Sequence, residues 1–118
     1  DDEPVDLVVD ALIGYSLKGA PRGPALELIQ WANARQAPVL SLDIPSGVDA
    51  TSGESAGEYI DAAATLTLAL PKTGLIPEKT GTLQLVDLGI PGAVYRQLGI
   101  EYTTPFENKY RIALRPAP

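Results

Sequence analysis

Two short apolar runs flank an amphipathic stretch early in the chain, and this arrangement restricts the fold more than any other feature. Leu7, Val8 and Val9 are followed, beyond Asp10, by Ala11, Leu12 and Ile13. So short and nearly unbroken a run suits a strand buried on both faces, as in a parallel sheet. Residues 14–23 contain three Gly and one Pro and read as a loop. Pro24 suits a first helical turn, where its missing N–H costs nothing. Ala25, Leu28, Ile29 and Ala32 then fall at i, i+3, i+4 and i+7, an apolar stripe for packing on a sheet. The helix should end near Arg35, because Pro38 disfavours helical geometry at Ala37. A second strand is expected over 39–44, stopped by Pro45. Strand, helix and strand occupy about 38 residues, the size of a βαβ unit with a right-handed crossover.

The remainder continues the α/β pattern. Residues 46–58 are rich in turn formers. Residues 62–70 alternate Thr65 and Thr67 with Leu66, Leu68 and Leu70, a third strand; 71–81 read as loop and 82–88 as a fourth strand. A short helix is expected over 93–98, and 110–114 suit either an edge strand or a linker. There are no internal repeats.

Composition narrows the chemistry. The 118 residues include no Cys and no His, which removes disulfides, thiolate nucleophiles, the commonest general base and the commonest zinc ligand. Acid–base work falls to Asp, Glu, Lys or Tyr. A net charge of −6 argues against an electrostatic nucleic-acid binder. No apolar run reaches the roughly 18 residues of a membrane-spanning helix, and no signal peptide precedes the acidic opening, so a cytoplasmic location is the expectation. With 45% hydrophobic residues and mean hydropathy near zero, the chain can bury a core. Size scaling puts the folded surface at about 6,100 Å² against roughly 18,000 Å² unfolded. There is no Met and the chain opens on Asp1-Asp2-Glu3, which reads as a fragment or processed product.

In parallel sheets, ligands bind beyond the carboxyl ends of the strands. Asp10 and Asp43 both fall at such ends, on strands expected to be neighbours, where two carboxylates would share a crevice. Asp also caps loops through backbone N–H groups, and the pattern alone leaves both readings open. The loop Gly14-Tyr15-Ser16-Leu17-Lys18-Gly19 fails the Walker pattern, since Ala20 and Pro21 follow its second Gly where Lys and Ser/Thr are required. It still sets a cation, Lys18, between glycines at the mouth of the expected crevice. There it would meet an anionic ligand or simply be solvated.

The segment Leu42-Asp43-Ile44-Pro45-Ser46-Gly47-Val48-Asp49 is far more specific. Taken with Val9-Asp10-Ala11-Leu12-Ile13-Gly14 and the loop through Gly19, it closely resembles the NAD(P)H-hydrate epimerase family. Ser52-Gly53-Glu54, the stretch 62–68, Lys72-Thr73-Gly74-Leu75 and Asp87-Leu88-Gly89-Ile90-Pro91 agree in order and spacing, so the resemblance covers about residues 5–92. It implies a Rossmann-like three-layer sandwich with a mainly parallel sheet, and interconversion of the R and S forms of hydrated NADH or NADPH. Carried over by position, Asp10 and Ser46 match potassium ligands. Gly14, Tyr15, Ser16, Leu17, Lys18, Gly19 and Ala20 match the substrate loop. Asp43 matches an acidic residue at the substrate and is the expected proton-handling group. Epimerisation needs proton transfer but neither redox chemistry nor a thiol, and carboxylates supply that without His. Potassium takes hard oxygen ligands, which Asp, Ser and carbonyls provide. Asp49, Glu54 and Lys72 match less specifically and are expected to shape turns or face solvent.

The family's glycine-rich phosphate motif lies in a half of the domain that this sequence does not contain. The expectation is therefore a partial domain over 1–102, with 103–118 as tail or linker. The missing half would be needed in cis or in trans, the isolated chain would be inactive, and the sheet would expose an edge. A homodimer is compatible with this reading. The competing readings are a non-catalytic scaffold of the same fold, such as the dimerising and RNA-binding domain of mRNA-decapping proteins, and a generic nucleotide-binding domain. Retained Asp10, Asp43 and Ser46 and a pI of 4.4 favour the enzyme.

Overall fold

A computed structural model describes residues 3–15 and 17–117. Five strands form one sheet in chain order: β1 (Val8–Asp10), β2 (Val39–Leu42), β3 (Ala64–Leu68), β4 (Thr82–Val86) and β5 (Arg111–Ala113). The first four run parallel, and β5 is antiparallel to β4. Of the two alternatives for 110–114, the structure takes the edge strand. Three helices intervene: α1 (Gly23–Asn33), with Pro24 in its first turn, the single-turn α2 (Pro77–Thr80), and α3 (Gly92–Gln97). The sequence reading of 71–81 as loop missed α2, whose four residues are too short to show a helical period.

Register assigns the side chains to two faces. Val8 lies opposite Val39, Asp10 opposite Ser41, Ser41 opposite Thr65 and Thr67 opposite Leu85. Because side chains alternate along a strand, these residues share one face. On that face Val39, Asp10, Ser41, Thr65, Thr67 and Leu85 are buried. Helix α1 packs there through Ile29 and Ala32, against Val39, Ile60 and Ala62, with Val8, Ile13 and Trp31 at the margin. The apolar stripe is narrower than its period suggests, since Leu28 stays half exposed. Asn33 fastens the end of α1, donating from Nδ2 to the Tyr59 carbonyl and accepting from the Asp61 N–H through Oδ1.

The opposite face carries Val9, Leu40, Leu42, Leu66 and Leu68, all partly or substantially exposed. The alternation in β3 therefore points its threonines inward. Thr65 is accommodated because its hydroxyl donates to the Thr80 carbonyl at 2.8 Å, which removes the cost of burying it unpaired.

All four parallel strands end earlier than the sequence predicts; β3 stops at Leu68 rather than residue 70 and β4 at Val86 rather than residue 88. β1 stops at Asp10, so Ala11, Leu12 and Ile13 do not extend it. β2 stops at Leu42 rather than Ile44, because Asp43 adopts φ +70°, a left-handed conformation that no extended strand can include. The next five residues, 44–48, are all buried and form a second small core, in which Ile44, Val48 and Ala50 meet Tyr59 and Leu75.

Candidate active site

Asp10 and Asp43 stand at the carboxyl ends of adjacent parallel strands, as the sequence predicts, but each is held by its own set of partners. Asp10 is 2% exposed. Its Oδ2 accepts from the Ser41 hydroxyl at 2.7 Å and the Ser46 N–H at 2.8 Å. Its Oδ1 accepts from the Ser46 hydroxyl at 2.5 Å and the Leu12 N–H at 3.3 Å. Ser46 Oγ in turn accepts from the Ile13 N–H at 2.9 Å and lies 3.3 Å from the Ile13 carbonyl oxygen. A carboxylate, a hydroxyl and a carbonyl thus converge as an all-oxygen set, suited to a hard monovalent cation. Ser41 belongs to this cluster and was overlooked in the sequence. Its signal is a polar residue at an inward position of an apolar strand.

Ser46 reaches this position through its neighbours. Gly47 has φ +98°, and a Cβ there would lie 2.5 Å from the Glu58 carbonyl oxygen and 2.8 Å from Tyr59 Cα. Only glycine lets residues 46–48 pass this close to the loop at residues 58–59, and the Ile60 N–H then bonds the Ser46 carbonyl at 2.8 Å.

Asp43 is organised differently. Its N–H donates to the Leu66 carbonyl at 2.7 Å while its φ is +70°, a conformation worth about 1–3 kcal/mol of strain in a non-glycine residue and typical of functional positions. Its carboxylate, 22% exposed, forms an ion pair through Oδ1 with Lys72 Nζ. The same oxygen accepts from the Leu68 N–H at 3.2 Å and the Thr67 hydroxyl at 3.4 Å. Among the described residues Oδ2 has no partner. Lys72, expected to shape a turn or face solvent, instead lies at the heart of this cluster. Its signal was position: it follows β3, the strand beside β2, by a few residues.

Asp49 and Glu54 do shape turns. Asp49 Oδ1 accepts from the Ser52 and Thr51 N–H groups, both at 2.8 Å. These bonds, with the Ser52 hydroxyl, hold its carboxyl below the usual range. Glu54 closes the same turn through its carbonyl, which accepts from the Asp49 N–H.

The loop following β1 is mostly exposed. Gly14, Tyr15, Lys18, Gly19 and Ala20 are exposed, and Leu17 is half buried; Ser16 lies outside the described residues. Leu17 and Gly19 line one side of a concavity of about 200 Å³ whose other walls include Gly47, Asp49, Ser52 and Glu54. Asp43 is not among its walls. Among the described residues no helix is long and apolar enough to cross a membrane.

A mainly parallel sheet with a carboxylate at the end of each of two neighbouring strands defines an α/β domain whose candidate site lies at the carboxyl edge of the sheet. The chain belongs to the family described as YjeF-related protein N-terminus, whose model matches residues 1–74. It is 56% identical over 110 residues to the NAD(P)H-hydrate epimerase of Dehalogenimonas lykanthroporepellens, covering 92% of this chain and 45% of that protein. It is 44% identical over 92 residues to the bifunctional NAD(P)H-hydrate repair enzyme Nnr of Escherichia coli, covering 75% of this chain and 18% of that one. The crystal structure of a yeast protein, YNL200c, shares the fold with a TM-score of 0.72 at 24% identity, over 92% of this chain and 46% of that one. The chain spans less than half the length of the curated relatives it matches.

Proposed function

We propose that this chain carries the strand-end portion of an NAD(P)H-hydrate epimerase site, with Asp43 moving the proton. The supporting observation is the Asp43 carboxylate itself. It sits where open α/β sheets bind ligands, on a strained backbone, with Oδ1 saturated and Oδ2 unpartnered among the described residues. Inversion at the hydrated ring carbon breaks and remakes a bond without net loss of atoms or electrons. A proton must move on and off the oxygen concerned, and a carboxylate oxygen free of internal partners suits that task. Residues 14–20, with Lys18, would lie over the anionic substrate; Lys18 is exposed and can swing toward a pyrophosphate.

Asp10 and Ser46, with the Ile13 carbonyl, offer the oxygen donors that a potassium ion takes. Bound there, potassium would supply positive charge beside an anionic substrate on a protein of net charge −6. Asp10 and Ser46 would hold it, while Ser41 keeps Asp10 oriented.

The test is epimerisation of R- and S-hydrated NADH by the complete protein to which this chain belongs. Replacing Asp43 by Asn should leave the fold intact and lower kcat by roughly 10²–10⁴-fold, the usual contribution of a positioned acid or base. A variant within a few-fold of wild type would remove Asp43 from the role, and a complete protein that leaves both epimers untouched would overturn the reading.

A further inference from the structure

We propose that Lys72 is a positioning residue for Asp43: it pins one carboxylate oxygen so that the other is the one presented to substrate. This inference rests on the epimerase reading and adds to it a residue outside the matched potassium and substrate positions.

The geometry is that of a tripod. An ammonium has three donors, and Lys72 Nζ reaches three acceptors at the end of β3: Asp43 Oδ1, Thr67 Oγ1 at 3.2 Å and the Leu68 carbonyl at 2.9 Å. All three N–H groups are therefore engaged, and the side chain is only 19% exposed. Such a lysine differs from the exposed Lys18, and from Lys79, which bonds Ser55 and lies over the Tyr59 ring.

The backbone that delivers Lys72 is equally fixed. Next to it, the Thr73 hydroxyl donates to the Thr51 carbonyl at 2.8 Å and the Gly74 N–H to the Ala50 carbonyl at 2.7 Å. A Cβ on Gly74 would lie 2.5 Å from both the Asp49 carbonyl oxygen and the Gly53 nitrogen, so the loop after β3 is clasped to the turn after residue 49. Asp43 is constrained from the other side by its left-handed backbone and its bond to Leu66.

The consequence is an asymmetric carboxylate. With Lys72, Thr67 and the Leu68 N–H all on Oδ1, a proton accepted by Asp43 goes to Oδ2. Without Lys72 the carboxylate can rotate, and its two oxygens exchange roles. Substrate affinity should barely change, because all three Lys72 donors are taken up by protein acceptors. Turnover should fall, because a misplaced reacting group costs on the order of 10²-fold.

In the complete protein, Lys72→Met keeps the aliphatic stem and removes the tripod. It should lower kcat about 10²-fold with KM within about threefold. Lys72→Arg should retain part of the activity, and Lys72→Ala should recover turnover on addition of ethylammonium. An undiminished kcat in Lys72→Met would overturn the proposal, as would a fall in which KM alone changes. Hydrogen exchange at the Leu68 amide gives a readout independent of activity. Release of Oδ1 should speed exchange in Lys72→Met, whereas unchanged protection would overturn the positioning role even if wild type proved inactive. An inactive wild type with faster Leu68 exchange in the variant would reject the epimerase reading and still uphold the clamp on Asp43.

Discussion

At the scale of single residues, the two strand-end aspartates illustrate opposite uses of one side chain. Asp10 is buried and accepts from Ser41, Ser46 and Leu12; Asp43 is partly exposed and keeps one oxygen unpartnered among the described residues. Removing the Asp10 carboxylate strands several buried donors, each costing about 1–3 kcal/mol when left unmade. Asp10→Ala should therefore destabilise the complete protein by roughly 3 kcal/mol in urea titration, allowing for partial relaxation. If Asp10 also holds potassium, the same variant should show a weaker potassium dependence of epimerisation. A stability change below about 1 kcal/mol would contradict the network, and an unaltered potassium response would take Asp10 off the ligand set. Both aspartates were legible in the sequence, as polar residues set late in apolar runs and inside the two motifs that carry the family resemblance. Ser41 and Lys72 were not. Ser41 reveals itself only when register sets it opposite Asp10, and Lys72 only when β3 is known to lie beside β2.

The element scale explains why the predicted strands were too long. Hydrophobic runs report burial, and residues 44–48 are buried without being extended. The apolar signal at Ile44 belongs to the second small core, not to β2. What ends the strand is the conformation of Asp43, which its residue type does not announce. Gly47 carries the complementary constraint. With φ +98° and the Glu58 carbonyl 2.5 Å from where a Cβ would stand, Gly47→Ala must move backbone rather than a flexible side chain. It should cost more than about 2 kcal/mol, combining left-handed strain with overpacking. Because Ser46 precedes it, the shift should also loosen the Asp10 cluster. Denaturant unfolding of Gly47→Ala beside a surface control such as Gly89→Ala checks this, since the latter meets no atom within 4 Å at φ +73° and should show the conformational strain alone. Equal losses in the two variants would mean that the close approach to residues 58–59 contributes nothing.

At the scale of the whole molecule, the chain buries less than its size predicts. Its accessible surface is 7851 Å², against about 6,100 Å² for a self-contained protein of this mass. Some of the exposed apolar surface lies on the sheet face turned away from α1, where Val9 is 53% and Leu42 37% exposed. An open apolar sheet face is a site for association or for packing by further chain, and the matches cover only 45% and 43% of two curated relatives. A polar substitution on that face separates the alternatives. In the 118-residue polypeptide, Leu42→Asp should cost only about 1 kcal/mol, the ordinary effect of a substitution at a partly covered position, and should lower binding of a hydrophobic dye. In the complete protein the same substitution should cost more than about 2 kcal/mol if further chain covers the face, since it would bury an unpaired carboxylate. The isolated polypeptide should also show no epimerisation, while the complete protein does. A Leu42→Asp effect equally small in both lengths would mean that the leucine face stays open to solvent and that no further chain packs on it.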